Sequence, residues 1–346
     1  MTSSKSVMVG AIQIGGGALP VVQSMTNTQT SDVKSTLEQI DRLAQAGCEI
    51  VRCAVPSTSA LDGFSAVVES SSLPVVADIH FDYKLAIEAA QRGAAKLRIN
   101  PGNIGSIERV DAVIDAAGEA GIPIRIGVNS GSLSDDILSL DLPLSQKLAI
   151  SALQFVEHFE DRGFTDIVLS TKGSNVSNTI DAYRLLAQGT DYPLHIGITE
   201  AGTAFSGTIK SAVGLGTLLE EGIGDTLRVS LTADPVEEIK VAFEILSALG
   251  IRRNRAEVIS CPTCGRTQVD LIDLANQVNA RIDEIPPELT IAVMGCVVNG
   301  PGEAREADYG IACGKGSGVL FAHGEKLRKV DEENLVDELF VEINKR

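Results

Sequence analysis

The sequence predicts an α/β protein made of an N-terminal (βα)8 TIM barrel followed by a small C-terminal α/β domain. Three observations carry that expectation. Between Pro20 and Gly250 the chain alternates eight times between a short β-branched run and an amphipathic stretch. No glycine-rich dinucleotide fingerprint follows the first strand, which disfavours an open doubly wound sheet. Beyond a basic linker, Gly250-Ile-Arg-Arg-Asn-Arg-Ala, the composition changes, and four of the six cysteines fall in the last quarter of the chain.

The elements follow in order. Val7–Gly10 and Ile12–Gly15 read as a hairpin that closes the barrel floor. The eight barrel strands are expected at Val21–Met25, Glu49–Val55, Pro74–Ile79, Ala95–Ile99, Pro123–Val128, Asp166–Ser170, Pro193–Ile198 and Thr226–Leu231. The helices are expected at Asp32–Ala46, Thr58–Glu69, Tyr83–Arg92, Ser106–Ala120, Ser145–Arg162, Asn178–Ala187, Gly207–Glu220 and Pro235–Leu249. Gly47, Gly93 and Gly163 each stand where a helix ends, as a left-handed C-terminal cap requires. The second domain is expected to hold strands at Glu257–Ser260, Leu289–Met294, Tyr309–Ala312 and Gly318–Ala322, with helices at Gln268–Ala280 and Asp331–Lys345. A chain of 346 residues outgrows a single core. We place the two domains at residues 1–250 and 257–346.

Composition narrows the function. A formal charge of −17 argues against nucleic acid and anionic membranes as partners. No run of about 18 apolar residues suggests a membrane span. The N-terminus shows no apolar export region, so a cytoplasmic location and reduced thiols are expected.

In a (βα)8 barrel the reacting groups sit where strands pass into the following loops. Here those positions are basic and polar: Arg52, Arg98, Asn100, Arg125, Asn129, Lys172, Arg228 and Ser230. Five cations converging on one mouth of an acidic protein call for a polyanion, and forked guanidinium groups match phosphate oxygens. A small di- or polyphosphorylated substrate is therefore expected. Lys172 has a rival reading as a Schiff-base lysine. Asp78 and Glu200 are the acidic exceptions and the candidate acid/base residues, with Glu200 favoured. His80 and His195 read as satisfied interior groups, and Cys48 and Cys53 as small buried ones.

The cysteine pattern points to a metal. Cys261-Pro-Thr-Cys264 can grip one centre, and Cys296, in a separate glycine- and proline-rich loop, offers a third soft ligand. A zinc ribbon would show a second Cys-x-x-Cys knuckle, so iron–sulfur is favoured over structural zinc. Spacing leaves the fourth ligand open between Cys313 and Glu303.

Seven segments resemble one known family. They are Val22-Gln-Ser-Met-Thr-Asn27, Ala77-Asp-Ile-His-Phe81, Leu97-Arg-Ile-Asn-Pro-Gly-Asn103, Arg125-Ile-Gly-Val-Asn129, Gly197-Ile-Thr-Glu-Ala-Gly202, Ser260-Cys-Pro-Thr-Cys-Gly-Arg266 and Gly295-Cys-Val-Val-Asn-Gly-Pro-Gly-Glu-Ala304. Together they resemble the 4-hydroxy-3-methylbut-2-enyl diphosphate synthases of non-mevalonate isoprenoid synthesis, in their short bacterial two-domain form. The resemblance implies a [4Fe–4S] cluster held by Cys261, Cys264, Cys296 and Glu303, with Cys313 left out. It implies 2-C-methyl-D-erythritol 2,4-cyclodiphosphate as substrate, two-electron reductive ring opening with loss of water, and electrons from a flavodoxin or ferredoxin. Glu200 would protonate the departing hydroxyl.

Chain direction adds one expectation. The eighth helix starts at the mouth and runs to the floor, carrying the chain roughly 22 Å from the basic site at about 1.5 Å per residue. A head-to-tail homodimer, each cluster domain capping the partner's mouth, resolves that displacement. The family resemblance agrees with it.

Overall fold

The computed structural model describes residues 3–345 except 174, 297–301, 303, 304 and 306. The chain forms two compact units, Met1–Arg252 and Arg253–Arg346.

The first unit opens with an antiparallel hairpin, β1 (Ser6–Val9) and β2 (Ile12–Gly15). Eight parallel strands follow: β3 (Val21–Met25), β4 (Ile50–Ala54), β5 (Val75–Asp78), β6 (Lys96–Ile99), β7 (Ile124–Asn129), β8 (Ile167–Lys172), β9 (His195–Ile196) and β10 (Thr226–Leu227). Their order in the sheet is β8-β7-β6-β5-β4-β3-β10-β9. The ring closes between the two ends, where Leu169 bridges Leu194 and the Leu169 amide donates to Pro193 O at 2.9 Å. Outside the strands lie α1 (Val33–Gln45), α2 (Thr58–Ser70), α3 (Tyr83–Gln91), α4 (Pro101–Ile104), α5 (Ile107–Ala120), α6 (Asp135–Leu138), α7 (Leu144–Asp161), α8 (Val176–Gly189), α9 (Ala204–Glu220) and α10 (Pro235–Ala248).

Alternation along each strand sorts the side chains. Ile124, Ile126 and Val128 of β7 point outward into the apolar shell shared with the helices. The inward positions differ by height. At the bottom, Val21, Ile50, Val76 and Val168 join Val7, Val9 and Ile14 of the hairpin in one apolar layer. Each such fully buried side chain contributes on the order of 1.5–3 kcal/mol. Above that layer the interior turns polar. Asn27 and Gln39 tie the first loop to α1, and the Asp32 carboxylate caps that helix at the Ser35 amide.

Two differences from expectation bear on the site. β9 and β10 hold only two residues each, so the wall beyond them is irregular backbone joined by a bridge between Thr203 and Thr232. The short helices α4 and α6 each follow a barrel strand and were hidden by Gly- and Ser-rich composition.

The second unit is a five-stranded sheet in the order β11 (Glu257–Ser260), β12 (Thr290–Met294), β13 (Tyr309–Gly314), β14 (Ser317–Ala322), β15 (Glu325–Asp331). The first three strands are parallel and the last two antiparallel to their neighbours. Helices α11 (Leu271–Ala280) and α12 (Leu335–Ile343) share one apolar core with the sheet, through Leu271, Leu274, Val278, Leu335, Leu339 and Phe340. β15 was not expected. Its sequence, Glu-Lys-Leu-Arg-Lys-Val-Asp, is charged because it is an edge strand, paired with β14 alone among the described residues. The turn into it, His323-Gly324, has both residues at positive φ, 49° and 82°, the backbone of a tight hairpin.

Candidate functional site

Register brings the basic residues together. Asp78 of β5 pairs with Arg98 of β6, and Arg98 with Arg125 of β7, so three charged side chains occupy one rung. Asn129 and Lys172 form a higher rung between β7 and β8. Gly127 leaves space for the Arg98 guanidinium, since a Cβ there would stand 3.0 Å from Arg98 Nε.

Asp78 is the counter-ion of the group. Arg98 Nη1 donates to Asp78 Oδ1 at 3.1 Å, Arg52 Nε lies 3.8 Å from Oδ2, and His80 Nε2 lies 3.2 Å from Oδ2. Burial pushes the Asp78 carboxyl up, but the Arg52 charge, the His80 hydrogen bond and the Arg98 charge outweigh it and hold it well below the usual range. Glu238 of α10 does the same for Arg228, with contacts of 3.4 Å, and also accepts from the Leu231 amide at 3.0 Å. Arg52 makes a softer contact, donating from Nε and Nη2 to the Met25 thioether at 3.1 and 2.9 Å.

The two carboxylates leave much unsatisfied. Among the described residues, Arg98 Nε and Nη2, Arg125 Nε and Nη2, and both amide ends of Asn100 are buried without a hydrogen-bond partner. Arg125 is 1% exposed. Burial, then the Arg52 and Arg98 charges, press its proton affinity well down. A guanidinium keeps its proton in proteins, so this tension becomes attraction for an anion.

A cavity of about 600 Å³ opens above these groups, lined by Asn129, Lys172, Thr199, Glu200, Arg228 and Ser230 among others. A second hollow of about 30 Å³ adjoins it, sharing Lys172, Thr199, Arg228 and Ser230 and reaching Arg52, Arg125 and His195. Seven of the ten barrel residues singled out from the sequence therefore line these two adjoining hollows, while Asp78, Arg98 and Asn100 lie buried beside them. Glu200 is exposed on the loop after β9 and holds φ at +57°, a left-handed backbone rarely accepted by a non-glycine residue. Lys172 stands at the junction of both hollows, with its amine pushed down to about 7 by burial and by the Arg98, Arg52 and Arg125 charges.

Sequence reasoning missed Lys96. It is fully buried on β6 below Arg98 and donates to Gln23 Oε1 at 3.3 Å. Its two-residue offset from Arg98 was the available signal, since alternation turns both inward. His195 is buried as expected, but His80 is exposed at the rim rather than interior, because β5 ends before it.

In the second unit, Cys261 follows β11 and Cys296 follows β12, adjacent parallel strands in register through Ser260 and Val293. The Gly295 amide donates to Cys261 Sγ at 3.3 Å, tying the two strand ends together. Cys264 is exposed, and backbone donation from Arg266 lowers its thiol. Cys313 is different: it is fully buried in the core of the sheet and α12, and burial pushes its thiol up to about 12. Among the described residues no group of three or more Cys, His, Asp or Glu side chains is drawn together closely enough to hold a metal ion. Glu303, expected as the fourth ligand, lies outside the described residues. The donor set nonetheless suits a thiolate-bound centre, with two cysteines at neighbouring strand ends and a protonated Cys313 set apart in the core.

Residues 4–243 match the GcpE TIM-barrel domain and residues 257–345 the GcpE protein C-terminal domain. This chain belongs to the GcpE family. Similar curated proteins carry the name 4-hydroxy-3-methylbut-2-en-1-yl diphosphate synthase (flavodoxin). The Clostridium acetobutylicum protein is 58% identical, with 99% of this chain and 98% of that protein covered. That of Geobacter sulfurreducens is 56% identical, with 99% and 97% covered. Among solved structures, Yersinia pestis dihydropteroate synthase aligns with a TM-score of 0.50 at 16% identity, over 72% of this chain and 98% of that one. At that identity the likeness concerns the fold alone. No helix among the described residues is long and apolar enough to cross a membrane.

Proposed function

We propose that this protein catalyses the reductive ring opening and dehydration of 2-C-methyl-D-erythritol 2,4-cyclodiphosphate to 4-hydroxy-3-methylbut-2-enyl diphosphate. The electron donor is flavodoxin or ferredoxin. Family membership and the name of the relatives support the reaction. The observation that carries it here is the set of buried, unpartnered guanidinium and amide atoms of Arg98, Arg125 and Asn100 beside a cationic hollow. Two bridged phosphates supply oxygens that the guanidinium N–H groups among them lack.

The cofactor in this reading is a [4Fe–4S] cluster, held by Cys261, Cys264, Cys296 and Glu303. When bound, the cluster supplies single electrons to carbon, chemistry that no side chain offers. The chain's own residues do the rest. Arg52, Arg125, Arg228 and Lys172 bind the phosphates, while Arg98 and Asn100 line the buried side of that grip. Asn129 and Ser230 orient the substrate at the wider part of the hollow. Asp78, ionised between its arginines, fixes their forks and does not release a proton at neutral pH. Glu200, at the rim, delivers the proton to the departing hydroxyl.

The assembly in this reading is a head-to-tail homodimer. Support comes from the barrel unit's own course, since α10 carries the chain to the floor. There Arg252 donates to Pro20 O at 2.7 Å and pairs with Glu49 at 2.9 Å. The test of the function is an anaerobic assay with the cyclodiphosphate and reduced flavodoxin. Formation of the linear allylic diphosphate is expected. A colourless, zinc-containing protein that leaves the cyclodiphosphate intact sinks the proposal.

A further inference from the structure

Each polar residue of the segment Val22-Gln23-Ser24-Met25-Thr26-Asn27 makes at least one hydrogen bond, with Gln23 Nε2 buried and unpartnered among the described residues. Gln23 holds Lys96, Ser24 donates to Glu238 at 3.2 Å, Thr26 donates to Cys53 Sγ, and the Asn27 amide donates to Gln39. Met25 is left, the last residue of β3, half-buried at the mouth. Its two neighbours in the sheet are β4, which carries Arg52, and β10, beyond which lies Arg228. Arg52 Nε and Nη2 donate to the Met25 Sδ at 3.1 and 2.9 Å, and Arg228 Nη1 reaches the same sulfur at 3.7 Å. One thioether therefore stands between two guanidinium groups and receives three of their N–H donors.

We infer that Met25 is a positioning residue: its sulfur holds the Arg52 and Arg228 forks apart and aimed at the anion, without neutralising them. The inference rests on the diphosphate reading of the mouth. A carboxylate in this place would orient the forks more strongly, but it would also cancel their charge and compete with phosphate. Leucine would fill the volume and leave the donors free to turn. A thioether is a weak, polarisable acceptor, so it orders the arginines in the free protein and yields to phosphate oxygen. Asp78 and Glu238 already supply the negative charge that Arg52 and Arg228 require for burial.

The test is calorimetric binding of inorganic pyrophosphate to the full-length, cluster-loaded protein, comparing wild type with M25L, R52K and the M25L/R52K double variant. M25L is expected to weaken binding about tenfold. In the R52K background, where only the longer Arg228 contact to the sulfur remains, the same change is expected to cost less than about threefold. A packing defect at residue 25 would persist undiminished in that background, and that result overturns the inference. Equal affinity of M25L and wild type also overturns it, with the diphosphate reading intact. Absence of pyrophosphate binding by wild type removes that reading and this inference together. If M25L does not fold, M25Q keeps an uncharged acceptor at similar reach. Affinity within about threefold of wild type then supports the role, and a loss beyond tenfold refutes it.

Discussion

Lys172 titrates close to neutrality because burial and the Arg98, Arg52 and Arg125 charges make its ammonium costly, bringing it down to about 7. Below that pH the charged amine attracts a polyanion, and above it the attraction fades. The affinity advantage of wild type over K172M for pyrophosphate is therefore expected to shrink as pH rises through about 7, measured by calorimetry in matched salt. Stability follows the opposite course. The unfolded lysine holds its proton up to about 10.5, so between the two values the unfolded chain binds more protons and stability rises with pH. Glu200 makes a separate prediction. E200Q is expected to lower kcat by about 100-fold or more while leaving KM within about threefold, as loss of a proton donor does. A normal turnover number for E200Q would exclude that role. Most of these residues were legible because strand ends are predictable positions and arginine there is unusual. The division of labour was not. Asp78 and Glu200 look alike in sequence, and only the flanking Arg52 and Arg98 reveal the first as a counter-ion.

Single elements were read with uneven success, for reasons visible in their sequences. β3 was placed to the residue because its Val-Val start follows a proline and its end meets a polar loop. β9 and β10 were read too long, since apolar alternation continues after the backbone has left the sheet. β15 was missed because a charged edge strand shows no alternation of buried residues. Helix α2 is fixed by a close approach. A Cβ on Gly63 would stand 2.3 Å from Thr30 O and 2.7 Å from Ser31 Cα, both backbone atoms of the loop that follows Met25. G63A is expected to destabilise the fold by about 1–3 kcal/mol, read as a lowered midpoint in urea unfolding. In the second unit, β13 buries Cys313 in its apolar core, whereas Cys261, Cys264 and Cys296 lie in the loops after strand ends. C313S is thus expected to retain the iron and sulfide content of wild type, and C264S and E303A to lose it, by metal and sulfide analysis of anaerobic preparations. Iron loss in C313S with retention in E303A would reverse the assignment of the fourth ligand.

For the whole molecule, the proposed homodimer has a stoichiometric consequence. On that reading R125A is expected to inactivate the barrel half of a site and C264A the cluster half. Mixed one to one and allowed to exchange subunits, about half the dimers become hybrids, and each hybrid regains one intact site of two. About a quarter of wild-type activity is therefore expected, from two parents that have almost none. No recovery after verified exchange would show that each chain uses its own cluster. The two-part architecture was legible from the eight alternations and the cysteine-rich end, whereas the proposed pairing of subunits rests on chain direction and on the family resemblance.

The apolar layer of Val7, Val9, Ile14, Val21, Ile50, Val76 and Val168 has a kinetic meaning as well. If the proposed site is the reacting one, this layer makes it a cul-de-sac: whatever is formed against the arginines leaves by the door through which its precursor entered. Product and substrate must therefore exclude each other, and a slow-leaving diphosphate product would throttle the enzyme as a competitive inhibitor, independently of how fast electrons arrive.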